Sequence, residues 1–345
     1  MILFEEHELD AQVPDFEHGG FRPARLIHRV DPLFGHGTRL IEGAKLAPGG
    51  GELGTVVERE GFCPFCVDTI SEATAPFPPE IARNGRVIVG NAWVVPNVIA
   101  YSSVSAVGIY DVNRHFLPLN SLTRELVYDV LLAIGQHGKA VRSQRPDLVY
   151  SSVNANYLPP SGSSLIHPHI QSSHDLVPLG SQARLLEASK THLEAYDTPY
   201  FEELIALEDA QGQRMVAHMD PFVWLVPFAP TGFYEAWALA PGIGDLVELG
   251  DPDLYQLASG LALVLATYEQ IGVQSFNFSL IGATPASREF GASLLFRIVA
   301  RAPMSPYYRS DVTYFERLCL EAMIDYSPEE WAQQLRSNFG TTMSG

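Results

Sequence analysis

The sequence predicts an α+β fold built from two similar halves, each a mostly antiparallel sheet covered by one long helix. Three observations predict it. The order strand, strand, helix, strand, strand occurs twice, over about 86–171 and about 222–300. The helix at the centre of each copy is long and amphipathic, whereas the runs around it are short and rich in Val, Ile and aromatics. With 345 residues, 46% of them hydrophobic, the chain can bury a core in each half. The expected division is 1–180 and 181–345.

Taken in order, residues 1–60 mix Gly, Pro and charge with weak periodicity. They read as an irregular arm with one short strand near 55–58. Gly61-Phe-Cys-Pro-Phe-Cys66 reads as a tight turn with two thiols, and 76–79 as a Pro-rich linker. Residues 86–95 and 103–110 alternate as strands. Residues 122–142 read as a helix, with Thr123 offering a cap and Leu126, Val127, Val130, Leu131 and Ile134 forming an apolar stripe. A strand follows over 148–154, a Pro-Pro-Ser-Gly loop, and an extended run at 167–171.

Residues 183–196 read as a helix, and the acidic stretch 202–209 as a solvated helix face. Strands are expected over 222–227 and 233–240, a second long helix over 253–271, and strands over 276–280 and 292–299. The tail reads as helical, with Cys319 in the core. Ser327-Pro-Glu-Glu330 gives it a cap with Pro at the first helical position. His137 and His174 read as solvated or locally bonded.

Acids outnumber bases 40 to 22, which excludes the clustered cationic surface that nucleic acid needs. A few local donors can still hold a phosphate in an acidic protein. No stretch has the composition of a signal peptide or a membrane span. Three cysteines are too few and too odd for a disulfide framework, so a reducing cytoplasm is expected.

The chemistry concentrates in Ser161-Gly-Ser-Ser-Leu-Ile-His167-Pro-His169-Ile-Gln171. On a strand, residues two apart share a face, so both imidazoles project the same way. Such a pair can be a metal half-site, a nucleophile with its neighbour, or one surface and one core histidine. Cys63-Pro-Phe-Cys66 has the spacing with which two thiolates grip one tetrahedral ion. A redox dithiol and unligated structural thiols are its alternatives. With no second thiol pair, further ligands have to be histidines, and His115 and His167 are the candidates.

Cys-Pro-x-Cys followed by His-Pro-His-x-Gln resembles galactose-1-phosphate uridylyltransferase, the two-half branch of the histidine-triad superfamily. Asn91 in Val-Gly-Asn-Ala-Trp, Phe222-Val-Trp-Leu-Val-Pro-Phe and Phe315-Glu316-Arg-Leu extend the likeness over roughly 60–335. The resemblance implies duplicated histidine-triad-like halves and a ping-pong nucleotidyl transfer. His169 would attack the α-phosphorus of a nucleoside-diphosphate sugar, and a sugar 1-phosphate would then accept the nucleotidyl group. Gln171, Ser163 and the loop amides around Gly162 would supply donors to the phosphoryl oxygens. It also implies substrate contacts from Asn91, Asn156, Gly162, Ser163, Ser164 and Glu316, and a structural zinc on Cys63, Cys66, His115 and His167. A homodimer is implied as well.

Departures are visible. The late strand that carries paired metal-binding histidines in that family reads Phe296-Arg-Ile-Val-Ala-Arg here, so its second metal site is expected to be lost. Its Arg-x-x-Arg nucleotide contact leaves at most Lys45, and Ala92 stands where an Asp is expected. These changes touch base and sugar contacts and spare the nucleophile. They leave open a phosphorylase or hydrolase acting on an adenylyl donor, and a nucleotide-binding homologue without catalysis.

Overall fold

The computed structural model describes residues 1–48, 53–58, 61–99, 101–282, 284–305 and 309–342. In chain order the elements are β1 (Glu5–Pro14), β2 (Phe21–Val30), β3 (Gly37–Ile41), α1 (Ile70–Ala73), β4 (Val87–Val89), β5 (Ala92–Pro96), β6 (Val104–Ile109), α2 (Arg124–Gln144), β7 (Tyr150–Tyr157) and β8 (His169–Asp175). There follow α3 (Gly180–Tyr196), α4 (Tyr200–Gln211), β9 (Met215–Met219), β10 (Phe222–Leu225), β11 (Ala236–Ala240), α5 (Asp251–Gln270), β12 (Ser275–Ile281), β13 (Leu294–Arg301), β14 (Glu321–Ile324) and α6 (Pro328–Thr342).

Ten strands form one sheet in the order β4-β5-β6-β8-β7-β12-β13-β11-β10-β9. The second five repeat the first five in reverse about the seam between β7 and β12. Every pairing in this sheet is antiparallel. The duplicated α+β architecture is therefore present, with the two half-sheets fused edge to edge. The fusion also removes a pair of exposed strand edges.

Each half buries one sheet face under its long helix. Alternation sends Ala92, Val94, Ala106, Val153, Ala155 and Ile170 to the face that α2 covers with Val127, Val130 and Ile134. Gly108 lies beneath that helix, where a Cβ would come within 3.0 Å of Val130 and Ile134, so the helix needs a residue without one. In the second half Gly260 of α5 serves the same end, because a Cβ there would lie 2.3 Å from the Trp224 ring. Among the described residues no helix is long and apolar enough to cross a membrane.

Several expectations need correction. Residues 1–60 are not an irregular arm: β1, β2 and β3 form an antiparallel meander that β14 joins in parallel beside β3. β1 is largely exposed and β2 is so in its first half, and charged residues fall on either face of both, which erases the alternation that reveals a strand. The strand near 55–58 is instead a 3-10 turn, Gly54–Val57. Residues 215–219 form a strand that periodicity missed. The tail is not one helix, since a single π-turn, Phe315–Cys319, leads into β14, and Cys319 is exposed rather than core. The cap at Ser327 is present, with Pro328 opening α6 and the Glu330 amide 3.4 Å from the Ser327 hydroxyl.

Two polar residues proved more buried than expected. His137 is fully buried on α2 against Phe77 and His174, not solvated. Glu208, in the acidic stretch, is 1% exposed and bound by Arg214 at 2.9 Å. Arg214 also reaches Glu329 at 2.8 Å, and Arg29 of β2 reaches the same carboxylate at 3.0 Å. This cluster fastens the N-terminal sheet to α6.

Candidate active site

β8 begins at His169, directly after Pro168, which lacks a backbone donor for the ladder. The register pairs Ile109 with His169 and Asn154 with Gln171. His169 and Gln171 consequently share the face opposite α2, while Ile170 enters the helix-covered core. On that face the two-cysteine turn packs as a small separate core of Cys63, Phe65, Cys66, Ile70, Val107 and Ile109. The amide of Val67 donates to the Val112 carbonyl at 2.8 Å, tying the turn to the loop that carries His115.

Cys63, Cys66, His115 and His167 meet in one cluster, each offering a ligand atom within 4.8 Å of the others. Cys63 Sγ and Cys66 Sγ both lie 3.6 Å from His167 Nδ1, and Cys66 Sγ lies 3.5 Å from His115 Nδ1. A tetrahedron with bonds of about 2.0–2.3 Å has edges of roughly 3.3–3.8 Å, and these three separations already match such edges. His167 Nε2 donates to the Asp111 carbonyl at 2.9 Å, which leaves the Nδ1 lone pair facing the thiols. Burial, chiefly, pushes the imidazole down to about 4, so it is neutral and able to ligate at pH 7. The cluster can hold a metal ion.

The adjacent nucleophile candidate is fixed in the same manner. His169 Nδ1 donates to the His167 carbonyl at 2.8 Å, leaving Nε2 as the nitrogen with a lone pair. Its ring is 7% exposed and packs edge-on against Phe65 at 5.2 Å. Burial lowers its pKa, only partly offset by the bond to the His167 carbonyl, so this ring too is neutral near pH 7. His167 thus joins the two centres: its ring points into the thiol cluster and its carbonyl orients His169.

Gln171 projects beside His169, and its Oε1 accepts from the Tyr101 hydroxyl. Asn97 Nδ2 donates to that same hydroxyl at 2.7 Å, so the single Tyr101 proton is directed at Gln171. Among the described residues no hydrogen bond engages the Gln171 Nε2 hydrogens, which can therefore serve a ligand. Gly162, at φ +97°, makes the left-handed turn of the loop before β8 and is exposed, as is Ser164. The Gly162 and Ser163 amides bond back to the Pro159 and Leu158 carbonyls at 2.9 and 3.4 Å. Ser163 Oγ donates to the Leu165 carbonyl at 2.6 Å.

Asn156 lies on β7 beside this loop, its Nδ2 being 3.9 Å from where a Gly162 Cβ would stand. Asn91 sits exposed at the turn between β4 and β5, and its carbonyl receives the Val112 amide at 3.2 Å. Glu316 lies elsewhere, in the π-turn, where Thr313 holds its carboxylate at 2.6 and 2.7 Å. There it lines a cavity with Arg297, Thr231 and His36.

Sequence reasoning did not single out Tyr101, Asn97, Asn154, Asn277 or Ser279. A signal existed in Ser275-Phe-Asn-Phe-Ser-Leu-Ile, where polar side chains recur every second residue along a strand buried in mid-sheet. Ser279 Oγ donates to Asn154 Oδ1 at 2.7 Å, so these residues carry the polar face of β8 across the seam.

The fold is that of the two-half uridylyltransferase-like proteins. A GalT-like protein from Arabidopsis thaliana has a TM-score of 0.66 and 19% identity, covering 90% of this chain and 98% of its own. An ADP-glucose phosphorylase from Arabidopsis thaliana, solved with bound ADP-glucose, has a TM-score of 0.69 and 18% identity, over 90% of this chain and 97% of that one. A uridylyltransferase structure gives 0.64 and 19%, over 92% and 99%. In sequence, an uncharacterized protein from Archaeoglobus fulgidus is 26% identical over 313 residues, 89% of this chain and 91% of its own length. No protein-family model matches the sequence.

Proposed function

We propose that this protein is a nucleotidyltransferase working through a covalent nucleotidyl-His169. The observation that carries the reading is the setting of that ring: buried, donating through Nδ1 to the His167 carbonyl, on the same strand face as Gln171, with burial lowering its pKa. In the first step Nε2 forms a P–N bond to the α-phosphorus. The P–O bond to the sugar phosphate breaks and its electron pair leaves on that group. In the second step a phosphate oxygen of the acceptor attacks, the P–N bond breaks and the imidazole returns to neutrality. Gln171 Nε2 and Asn156 Nδ2 are neutral donors placed in advance for the charged phosphoryl oxygens.

The donor set of two thiols and two imidazoles suits zinc, whose role when bound is structural: it fixes His167 and thereby the carbonyl that orients His169. The default donor is a UDP-sugar and the acceptor a sugar 1-phosphate, in a cytoplasmic homodimer. Asn91, Ser163, Ser164 and Glu316 are assigned to the substrates. The second reading differs in base and acceptor: an adenylyl group passed from a nucleotide sugar to inorganic phosphate. The fold shared with an ADP-glucose phosphorylase favours considering it. Incubation with UDP-glucose or ADP-glucose, followed by intact-protein mass measurement, separates the two by the mass added. Absence of any adduct from either donor refutes both.

A further inference from the structure

The transfer step proposed above uses side chains of the first half, and of the second half only Glu316 is assigned to the substrates, yet the hydrogen bonds crossing the β7–β12 seam have a direction. Arg301 Nη1, at the end of β13, donates to Asn277 Oδ1, while the rest of its guanidinium holds Asp311. Asn277 Nδ2 then donates to Asn156 Oδ1 at 2.6 Å, to the Ser161 carbonyl at 3.0 Å and to the Ala155 carbonyl at 3.1 Å. A guanidinium only donates, so the Asn277 oxygen has to face Arg301 and its NH2 has to face Asn156. Asn156 must in turn offer its oxygen to Asn277, which turns its own NH2 toward the exposed Gly162 loop.

We propose that Arg301 and Asn277 are positioning residues for Asn156. They form a one-way relay that converts a cation in the second half into an amide donor facing the phosphate-bearing ligand of the first. The inference rests on the reading of His169 and the Gly162 loop as a nucleotide site. Neither residue touches the reacting atoms. Their effect is to forbid the flipped Asn156 rotamer, in which Oδ1 would face an anionic oxygen. This assigns the second half, whose β13 has no histidine, a part in the site.

The test is a mutant cycle in the full-length, zinc-loaded protein. Asn277→Asp is isosteric but replaces the donor facing Asn156 by an acceptor. It is expected to lower kcat/KM for the nucleotidyl donor at least tenfold, mostly in kcat. It is also expected to weaken UMP and AMP binding, measured by calorimetry, severalfold. In an Asn156→Ala background the same change should cost less than twofold in each readout. Arg301→Met, which keeps the Asn277 amide and its bonds to the Ser161 and Ala155 carbonyls but removes the donor to its oxygen, should cost severalfold in the native background and less than twofold in the Asn156→Ala background. Full cost in the Asn156→Ala background, or no cost in the native one, overturns the relay. If the native protein binds nucleotide with this pattern but forms no adduct, the transfer reading fails and the relay stands. If it binds no nucleotide, both fall.

Discussion

Replacing Glu329 by Gln tests the ionic cluster that fastens the N-terminal sheet to α6. The Glu329 carboxylate accepts from Arg29 at 3.0 Å, Arg214 at 2.8 Å and Ser327 at 2.8 Å. Burial alone would raise its pKa, but the two guanidiniums and the hydroxyl outweigh burial and hold it down to about 2. An unfolded glutamate titrates near ~4.3, and a shift of about two units is worth roughly 3 kcal/mol. The side chain is 26% exposed, and screening over that part reduces the figure to about 2 kcal/mol. Because the folded pKa is the depressed one, this stabilisation is complete above about pH 4.5 and is lost as pH falls toward 2. Glu329→Gln should therefore lower the urea stability by about 2 kcal/mol at pH 7, and the gap should close progressively between pH 4.5 and 2. A gap that persists unchanged at pH 2.5 would mean that the loss comes from packing, and the electrostatic argument would be wrong.

Other outcomes follow from the site itself. Cys66→Ser removes a thiol that approaches both histidines, so metal content should drop below stoichiometric and thermal stability should fall by several degrees. A fully metallated variant would contradict the four-ligand cluster. Tyr101→Phe deletes one hydroxyl and releases the Gln171 amide. A loss of about 1 kcal/mol, roughly fivefold, is expected in the rate of His169 modification, with the melting temperature unchanged. An unaltered rate would remove Tyr101 from the account.

What the sequence revealed and concealed has physical causes. His167, Pro168, His169 and Gln171 were readable because strand alternation and proline's missing donor act within five residues. Cys63 and Cys66 were readable as a pair for a similar reason, their spacing being local. The duplication was visible because α2 and α5 each carry an apolar stripe against a sheet, and that stripe has its own period. The N-terminal sheet was hidden because charged residues fall on both faces of β1 and β2, and because β3 finds its partner in β14 some 280 positions later. Tyr101 and Asn277 were hidden for another reason. Their importance lies in which end of a carboxamide they occupy, and no linear pattern records that. Glu208 looked solvated because its partner Arg214 lies beyond the helix end.

The most direct test of the central claim is to expose the purified protein to a panel of nucleoside-diphosphate sugars and then locate any added mass by peptide mapping. The account predicts one nucleoside monophosphate per chain, acid-labile, on His169, and none on a folded His169→Asn variant that retains its metal. An adduct on another residue, or equal turnover by His169→Asn, would contradict it.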